Sequence, residues 1–316
     1  MQKLDRDDIH ILGRNSNWPV AGVVQALKDN VYSGTAAWQK FLQLFFISLG
    51  VCFTSAGIIF FFAYNWDDLG KFAKMGLVSG VLLSAVLVVL LAKASQLIKN
   101  ILLTGAAVLV GALFAVYGQI YQTGADTYEL FIAWTAFVTL WVLAARFAPL
   151  WLLYIALVNT TVVLYLGQMA NNLQETTVFL LLFLLNVFFL AGAFLANFVK
   201  PESKVPDWFT NTLVLGAVSI STVGIVVGIF DEGNPLAPLF AVALLAYAGA
   251  LWYAIKARRV FYPACVSFSI IIIISASMLE ASHDTGMFLL VSVFIIAAVS
   301  FTIWQIVKLQ KKWADA

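Results

Sequence analysis

Ten runs of about twenty uncharged, strongly apolar residues divide this chain, and no arrangement of soluble layers accommodates so many of them. A helix rises about 1.5 Å per residue and a hydrocarbon core is roughly 30 Å thick, so about 20 apolar residues make one crossing. The runs are Phe41 to Tyr64, Met75 to Leu91, Ile101 to Tyr117, Leu130 to Ala145, Leu150 to Leu166, Thr177 to Phe198, Leu213 to Phe230, Leu236 to Ile255, Ala264 to Leu279 and Met287 to Val307. The expected fold class is therefore all-α, a polytopic transmembrane bundle of about ten spans. With 62% hydrophobic and 11% charged residues, the composition excludes the ordinary globular class.

Orientation follows from the basic residues, because Lys and Arg near span ends stay on the cytoplasmic side during insertion. Of the 18 Lys and Arg, all but Lys71 and Lys74 fall at the termini or in even-numbered gaps. Both termini are expected to be cytoplasmic. The expected organisation is a cytoplasmic helical segment over 1–40, spans one to six over 41–198, a cytoplasmic loop over 199–212, spans seven to ten over 213–307 and a basic tail over 308–316. Trp38, Trp66, Trp151, Trp208 and Trp252 stand near the expected interfaces, where an indole keeps its ring in lipid and its N–H in water. The first 40 residues hold no apolar signal-peptide core, so span one is expected to serve as its own insertion signal. Within them, Val20, Val23, Val24, Leu27 and Val31 recur at helical spacing behind Pro19, which predicts a short amphipathic helix from Trp18 to Val31.

Several chemistries are disfavoured. Cys52 and Cys265 lie inside expected spans one and nine, too isolated for a Cys-x-x-C metal or redox site. There is no His-Glu-x-x-His, no Gly-x-Ser-x-Gly and no Asp pair within a span, so no catalytic residue is assigned and an enzyme is not expected. No cofactor or metal site is implied. His283 beside Glu280 and Asp284 makes three potential ligands on one loop, too few to define a metal centre. The formal charge of +2 is explained by topology, which leaves the lipid bilayer as the evident partner and no reason to invoke nucleic acid.

Polar residues at membrane depth are the informative exceptions. Asn159, Thr160 and Thr161 stand near the middle of span five and Asn186 near the middle of span six. An amide in hydrocarbon needs a partner, so these residues are expected to face the bundle interior, bonding neighbouring helices or lining a polar solute site. Gly76, Gly80 and Ser84 in span two, and Gly224 and Gly228 in span seven, are spaced four apart, which suits close helix approach. Span seven also carries Gly216, Ser219, Ser221 and Thr222, and span nine carries Ser267, Ser269, Ser275 and Ser277. These helices are expected to be closely packed interior ones.

Nine acids, Asp67, Asp68, Asp126, Glu129, Glu175, Asp231, Glu232, Glu280 and Asp284, fall on the expected exported side. Two of its segments are distinctive. Span one ends in Ala63-Tyr64-Asn65-Trp66-Asp67-Asp68, and span three ends in Tyr117-Gly118-Gln119-Ile120-Tyr121-Gln122, followed by Thr123-Gly124-Ala125-Asp126 and then Tyr128-Glu129. Asn65, Trp66, Asp67, Asp68, Gln119, Tyr121, Gln122, Asp126 and Glu129 form the candidate polar and aromatic cluster. It has two readings: amides and acids that cap and pair at helix ends, or the mouth of a solute site with Trp66, Tyr117, Tyr121 and Trp134 as a stacking surface.

The Asn-Trp segment after the first span and the Gly-Gln-Ile-Tyr segment after the third resemble an uncharacterised family of bacterial predicted membrane proteins, domain of unknown function 2157. The resemblance covers roughly Leu4 to Leu150 and implies a multi-pass protein of the bacterial inner membrane, without an activity to carry over. Two functions are open on this basis: a permease-like protein for a small neutral or cationic solute, and a non-catalytic scaffold or accessory subunit with an unknown membrane-protein partner.

Overall fold

A computed structural model describes residues 6–32, 34–64, 69–121, 124, 126–169, 173–199, 205–231, 233, 235–282 and 284–314. Among them there are twelve helices and no strand. In lipid every backbone N–H and C=O must be satisfied within the segment, and uninterrupted apolar runs of this length have no other solution than the helix.

The chain divides into two compact units, Met1–Leu113 and Phe114–Ala316. The first opens with two short helices, α1 (Arg6–Asn15) and α2 (Val20–Asn30), which pack as a hairpin. Ile9 and Leu27 are its buried residues, and a Cβ on Gly13 would lie 3.2 Å from Val23. Three long helices follow: α3 (Thr35–Tyr64), α4 (Lys71–Leu91) and α5 (Gln96–Tyr121), whose last turns belong to the second unit. Gly105 of α5 lies directly against Val51, with Ser55 at 3.4 Å from its would-be Cβ, so α3 and α5 approach closely there. The amphipathic α2 matches the expected segment within two residues; α1 was not expected.

The second unit contains α6 (Thr127–Ala145), α7 (Ala148–Met169), α8 (Glu175–Val199), α9 (Asp207–Phe230), α10 (Leu236–Ala257), α11 (Phe261–Ala281) and α12 (Thr285–Ala314). Among the described residues, α3 to α12 are the ten helices long and apolar enough to cross a membrane. Most outrun the apolar segment that announced them: α9 begins six residues before Leu213, and α12 continues seven beyond Val307. Hydropathy marks only the hydrocarbon part of a helix, whereas the i→i−4 ladder continues through interfacial residues whose side chains reach water.

Prolines mark the starts. Pro19, Pro206 and Pro235 occupy the N-cap positions of α2, α9 and α10, and Pro149, Pro238 and Pro263 fall in first turns, where a missing N–H costs no helical bond. At the other ends, α6 and α10 close on Arg146 (φ 47°) and Arg258 (φ 53°), both left-handed, a conformation that glycine adopts without strain.

Helix α9 is the centre of the second unit. It contributes to three buried clusters: Phe209 and Leu213 with Ile155 of α7 and Ala193 of α8; Ala217 and Ile225 with Phe183 of α8 and Leu239 and Ala243 of α10; and Val214 and Val218 with Tyr247 and Ala254 of α10 and Tyr262 and Val266 of α11. Glycines permit this crowding. A Cβ on Gly224 would sit 2.7 Å from the Phe179 ring and 2.8 Å from Leu239, and one on Gly228 would sit 2.7 Å from Thr176 and 2.9 Å from Leu236. The similarly spaced Gly76, Gly80 and Ser84 do not behave this way. All three are exposed, with nothing within 4 Å of a Cβ on either glycine, and the Ser84 hydroxyl returns to the Gly80 carbonyl at 2.7 Å.

Candidate functional site

Of the expected cluster at the acidic end, Asn65, Trp66, Asp67, Asp68 and Gln122 lie outside the described residues. The others are in the second unit. Asp126 is the N-cap residue of α6, but its side chain makes no cap bond; its carbonyl accepts from the Glu129 N–H at 3.0 Å. Gln119, Tyr121, Asp126 and Glu129 are all exposed, and Tyr121 stacks its tilted ring on Tyr117 at 4.7 Å. The inward-facing residue here is Tyr128, whose N–H donates to Gln168 Oε1 at 3.4 Å and whose ring meets Tyr165 edge-on at 5.4 Å. Gln168 and Tyr165, which sequence reasoning passed over, tie α7 to the start of α6.

At mid-membrane the structure brings Asn159 and Asn186 together. Asn186 Nδ2 donates to Asn159 Oδ1 at 2.7 Å and to the Leu182 carbonyl at 2.8 Å, while Asn159 Nδ2 donates to the Ile155 carbonyl at 2.8 Å. Helices α7 and α8 are thereby joined by an amide pair in a region that offers no water. Thr161 meets Thr135 of α6 at 3.2 Å, and one turn away Thr139 donates to the Tyr154 hydroxyl at 3.2 Å. Thr160 departs from expectation: it is half-buried, and its hydroxyl bonds only the Ala156 carbonyl of its own helix. A threonine on the lipid side satisfies itself in this way, by returning its proton to the preceding turn.

The densest polar group is one step further along the chain. Ser221 and Thr222 of α9, Tyr247 of α10 and Ser269 of α11 are all buried. Ser221 lies 2.9 Å from the Tyr247 hydroxyl, Tyr247 lies 2.7 Å from Ser269, and Ser269 lies 2.6 Å from Thr222. Thr222 and Ser221 also reach the same acceptor, the Val218 carbonyl, at 2.6 and 3.0 Å. Four hydroxyls and one carbonyl thus form a closed circuit in which every hydroxyl proton has an acceptor. The serines and Thr222 are conspicuous in sequence; Tyr247 is one aromatic among many and carries no such signal. Ser219 and Ser277 point outward instead.

At the basic end of the same helices, Arg259 donates to Asp207 at 2.7 Å, an ion pair joining the α10–α11 turn to the start of α9. The hydrogen bond it donates to Asp207 holds the Arg259 guanidinium above its already high pKa, with desolvation opposing it. Lys256 lies over the Trp252 ring at 5.3 Å and Lys308 over Trp304 at 5.1 Å, the arrangement of a basic aromatic belt at a membrane surface. Among the described residues no group of His, Cys, Asp and Glu is placed to hold a metal ion.

Ten long apolar helices with interior amide and hydroxyl contacts define a multi-pass helical membrane protein. Residues 23–151 match the family described as "Predicted membrane protein (DUF2157)", the family that the Asn-Trp and Gly-Gln-Ile-Tyr segments resemble. No curated protein and no solved structure matches the chain.

Proposed function

We propose that this protein is a non-catalytic scaffold or accessory subunit of the bacterial inner membrane, with both termini cytoplasmic. The observation that carries this reading is how the interior polar groups of the second unit are used. The Asn159–Asn186 pair joins α7 to α8, and the hydroxyl circuit of Ser221, Tyr247, Ser269 and Thr222 joins α9, α10 and α11. Helices joined in this way resist the rearrangement that alternating access requires. The cytoplasmic placement of the termini rests on the distribution of Lys and Arg.

One observation favours the permease-like reading for a small neutral or cationic solute. The Asn159–Asn186 pair leaves the Asn186 Oδ1 acceptor and one Asn159 N–H unused at mid-membrane, a donor and an acceptor side by side. Reconstitution separates the two. A scaffold gives vesicles no solute flux above protein-free controls, and deleting Met1 to Asn30 abolishes co-purification of its partner while the ten-helix bundle survives. Flux of a neutral or cationic solute that Asn186→Leu removes would overturn the scaffold reading.

A further inference from the structure

Helix α2 has a wide apolar face, and α1 covers only part of it. Val23 and, one turn on, Leu27 turn toward α1: Leu27 is buried, and Val23 is the side chain that a Cβ on Gly13 would meet. Val20 and Val24, a turn apart on the adjoining strip, are 80% and 44% exposed, and Tyr32 just beyond the helix is exposed as well. Lys28, also exposed, continues that strip at the same four-residue spacing. The acid of α2, Asp29, falls on the far side of the helix, where it accepts a hydrogen bond from Gln25 Nε2 at 3.2 Å. Apolar and basic groups thus share one side of α2, and its acid and amide take the other.

Such a hairpin has little to hold it together in water. Helices of 10 and 11 residues are too short to be stable alone, and among the described residues Ile9 and Leu27 are the buried ones of the pair. Among those residues, neither helix packs on a third to a comparable extent. A second apolar surface is needed to complete the hairpin, and the chain limits which one is in reach. The Val31 and Tyr32 N–H groups bond back to the Leu27 carbonyl at 2.9 and 2.8 Å, and the Gly34 carbonyl already accepts from Ala37 and Trp38 of α3. Tyr32 is three residues from Thr35, so the end of α2 lies within roughly 11 Å of the start of a membrane-spanning helix. At that start Trp38 and Lys40, both exposed, mark the headgroup level.

We propose that α2 lies on the membrane surface beside the entry of α3, with Val20 and Val24 in the edge of the hydrocarbon and Lys28 at the phosphates of anionic lipids. The arrangement is that of an interfacial amphipathic helix. Apolar side chains enter the acyl boundary, while the lysine stem runs along it and leaves its ammonium among the headgroups. Gln25 and Asp29 then face water, which leaves that side of the hairpin open to a protein partner. The proposal does not depend on the scaffold reading.

The test uses the full-length protein, without Cys52 and Cys265, in vesicles of phosphatidylethanolamine and phosphatidylglycerol. A bimane on Val24→Cys is expected to emit at shorter wavelength than one on Asp29→Cys, to be quenched by lipids brominated on their chains and to escape aqueous iodide. The label on Asp29→Cys is expected to behave in the opposite way. Val20→Cys repeats the readout at a second position and guards against a local effect of either substitution. Iodide quenching on both faces overturns the proposal, because the apolar strip is then in water. Labels at positions 20 and 24 shielded from iodide and brominated lipid alike also overturn it, and assign the strip to a protein surface. Exchanging phosphatidylglycerol for phosphatidylcholine is expected to weaken the lipid quenching; equal quenching in both overturns the part given to Lys28.

Discussion

Single positions in this protein differ sharply in what they can lose. Tyr247 both gives and receives a proton within the hydroxyl circuit, so Tyr247→Phe leaves Ser221 and Ser269 each short of a buried neighbour. The expected cost is about 1–3 kcal/mol, read as a lower midpoint in thermal unfolding followed by Trp fluorescence; an unchanged midpoint contradicts the closed circuit. Gly224→Ala presses a methyl group into Phe179 and Leu239, with an expected loss of about 1–3 kcal/mol in the same assay. Gly80→Ala, where nothing lies within 4 Å, is expected to be neutral or slightly stabilising. The two glycine pairs have the same four-residue spacing, and this locates the limit of the sequence reading. Spacing says that small residues share a face of a helix, but not whether a neighbouring helix occupies that face. Asn186 was conspicuous because an amide stands out in an apolar run, whereas its partner row on α7 needed the structure to separate Asn159, which crosses to α8, from Thr160, which does not.

At the level of elements, the long helices were legible because about twenty apolar residues admit one structure in lipid. Their ends were not, since interfacial residues are polar enough to look like loop and still continue the backbone ladder. Helix α1 escaped notice for a different reason: Ile9, Ile11 and Leu12 are too few to show a period, and the helix depends on its contact with α2. Ile9→Ala is accordingly expected to open the α1–α2 hairpin, with faster proteolysis in residues 6–32 and no change in the membrane helices. The left-handed C-caps offer the opposite lever. Arg146 is exposed at φ 47°, so Arg146→Gly relieves about 1 kcal/mol of backbone strain and raises the melting temperature. The Asp207–Arg259 pair contributes less than its 2.7 Å length suggests, because its side chains are 33% (Arg259) and 69% (Asp207) exposed; Arg259→Ala is expected to cost under about 1 kcal/mol. With its pKa raised further by Asp207, Arg259 remains charged at any pH the fold survives, so alkali does not break the pair from the arginine side.

For the whole molecule, the distribution of basic residues makes a claim about sidedness that labelling can test. In a protein lacking Cys52 and Cys265, a cysteine at Gly124 or Gly233 is expected to react with an impermeant maleimide added outside spheroplasts, and one at Arg258 only after lysis. The reverse pattern would invert the topology. Gly124 and Gly233 are both exposed, and Gly233, which lacks the positive φ of Gly124, accepts a side chain the more readily.

The hydroxyl circuit has one more property, which follows from its closure. Because the Val218 carbonyl receives either Ser221 or Thr222, the protons can run Ser221 to Tyr247 to Ser269 to Thr222, or the whole order can reverse. Both orders use the same heavy-atom positions and the same number of bonds. The interior of the second unit therefore has two proton orders on one set of heavy atoms, so its polar interior stays fully bonded while the protons rearrange.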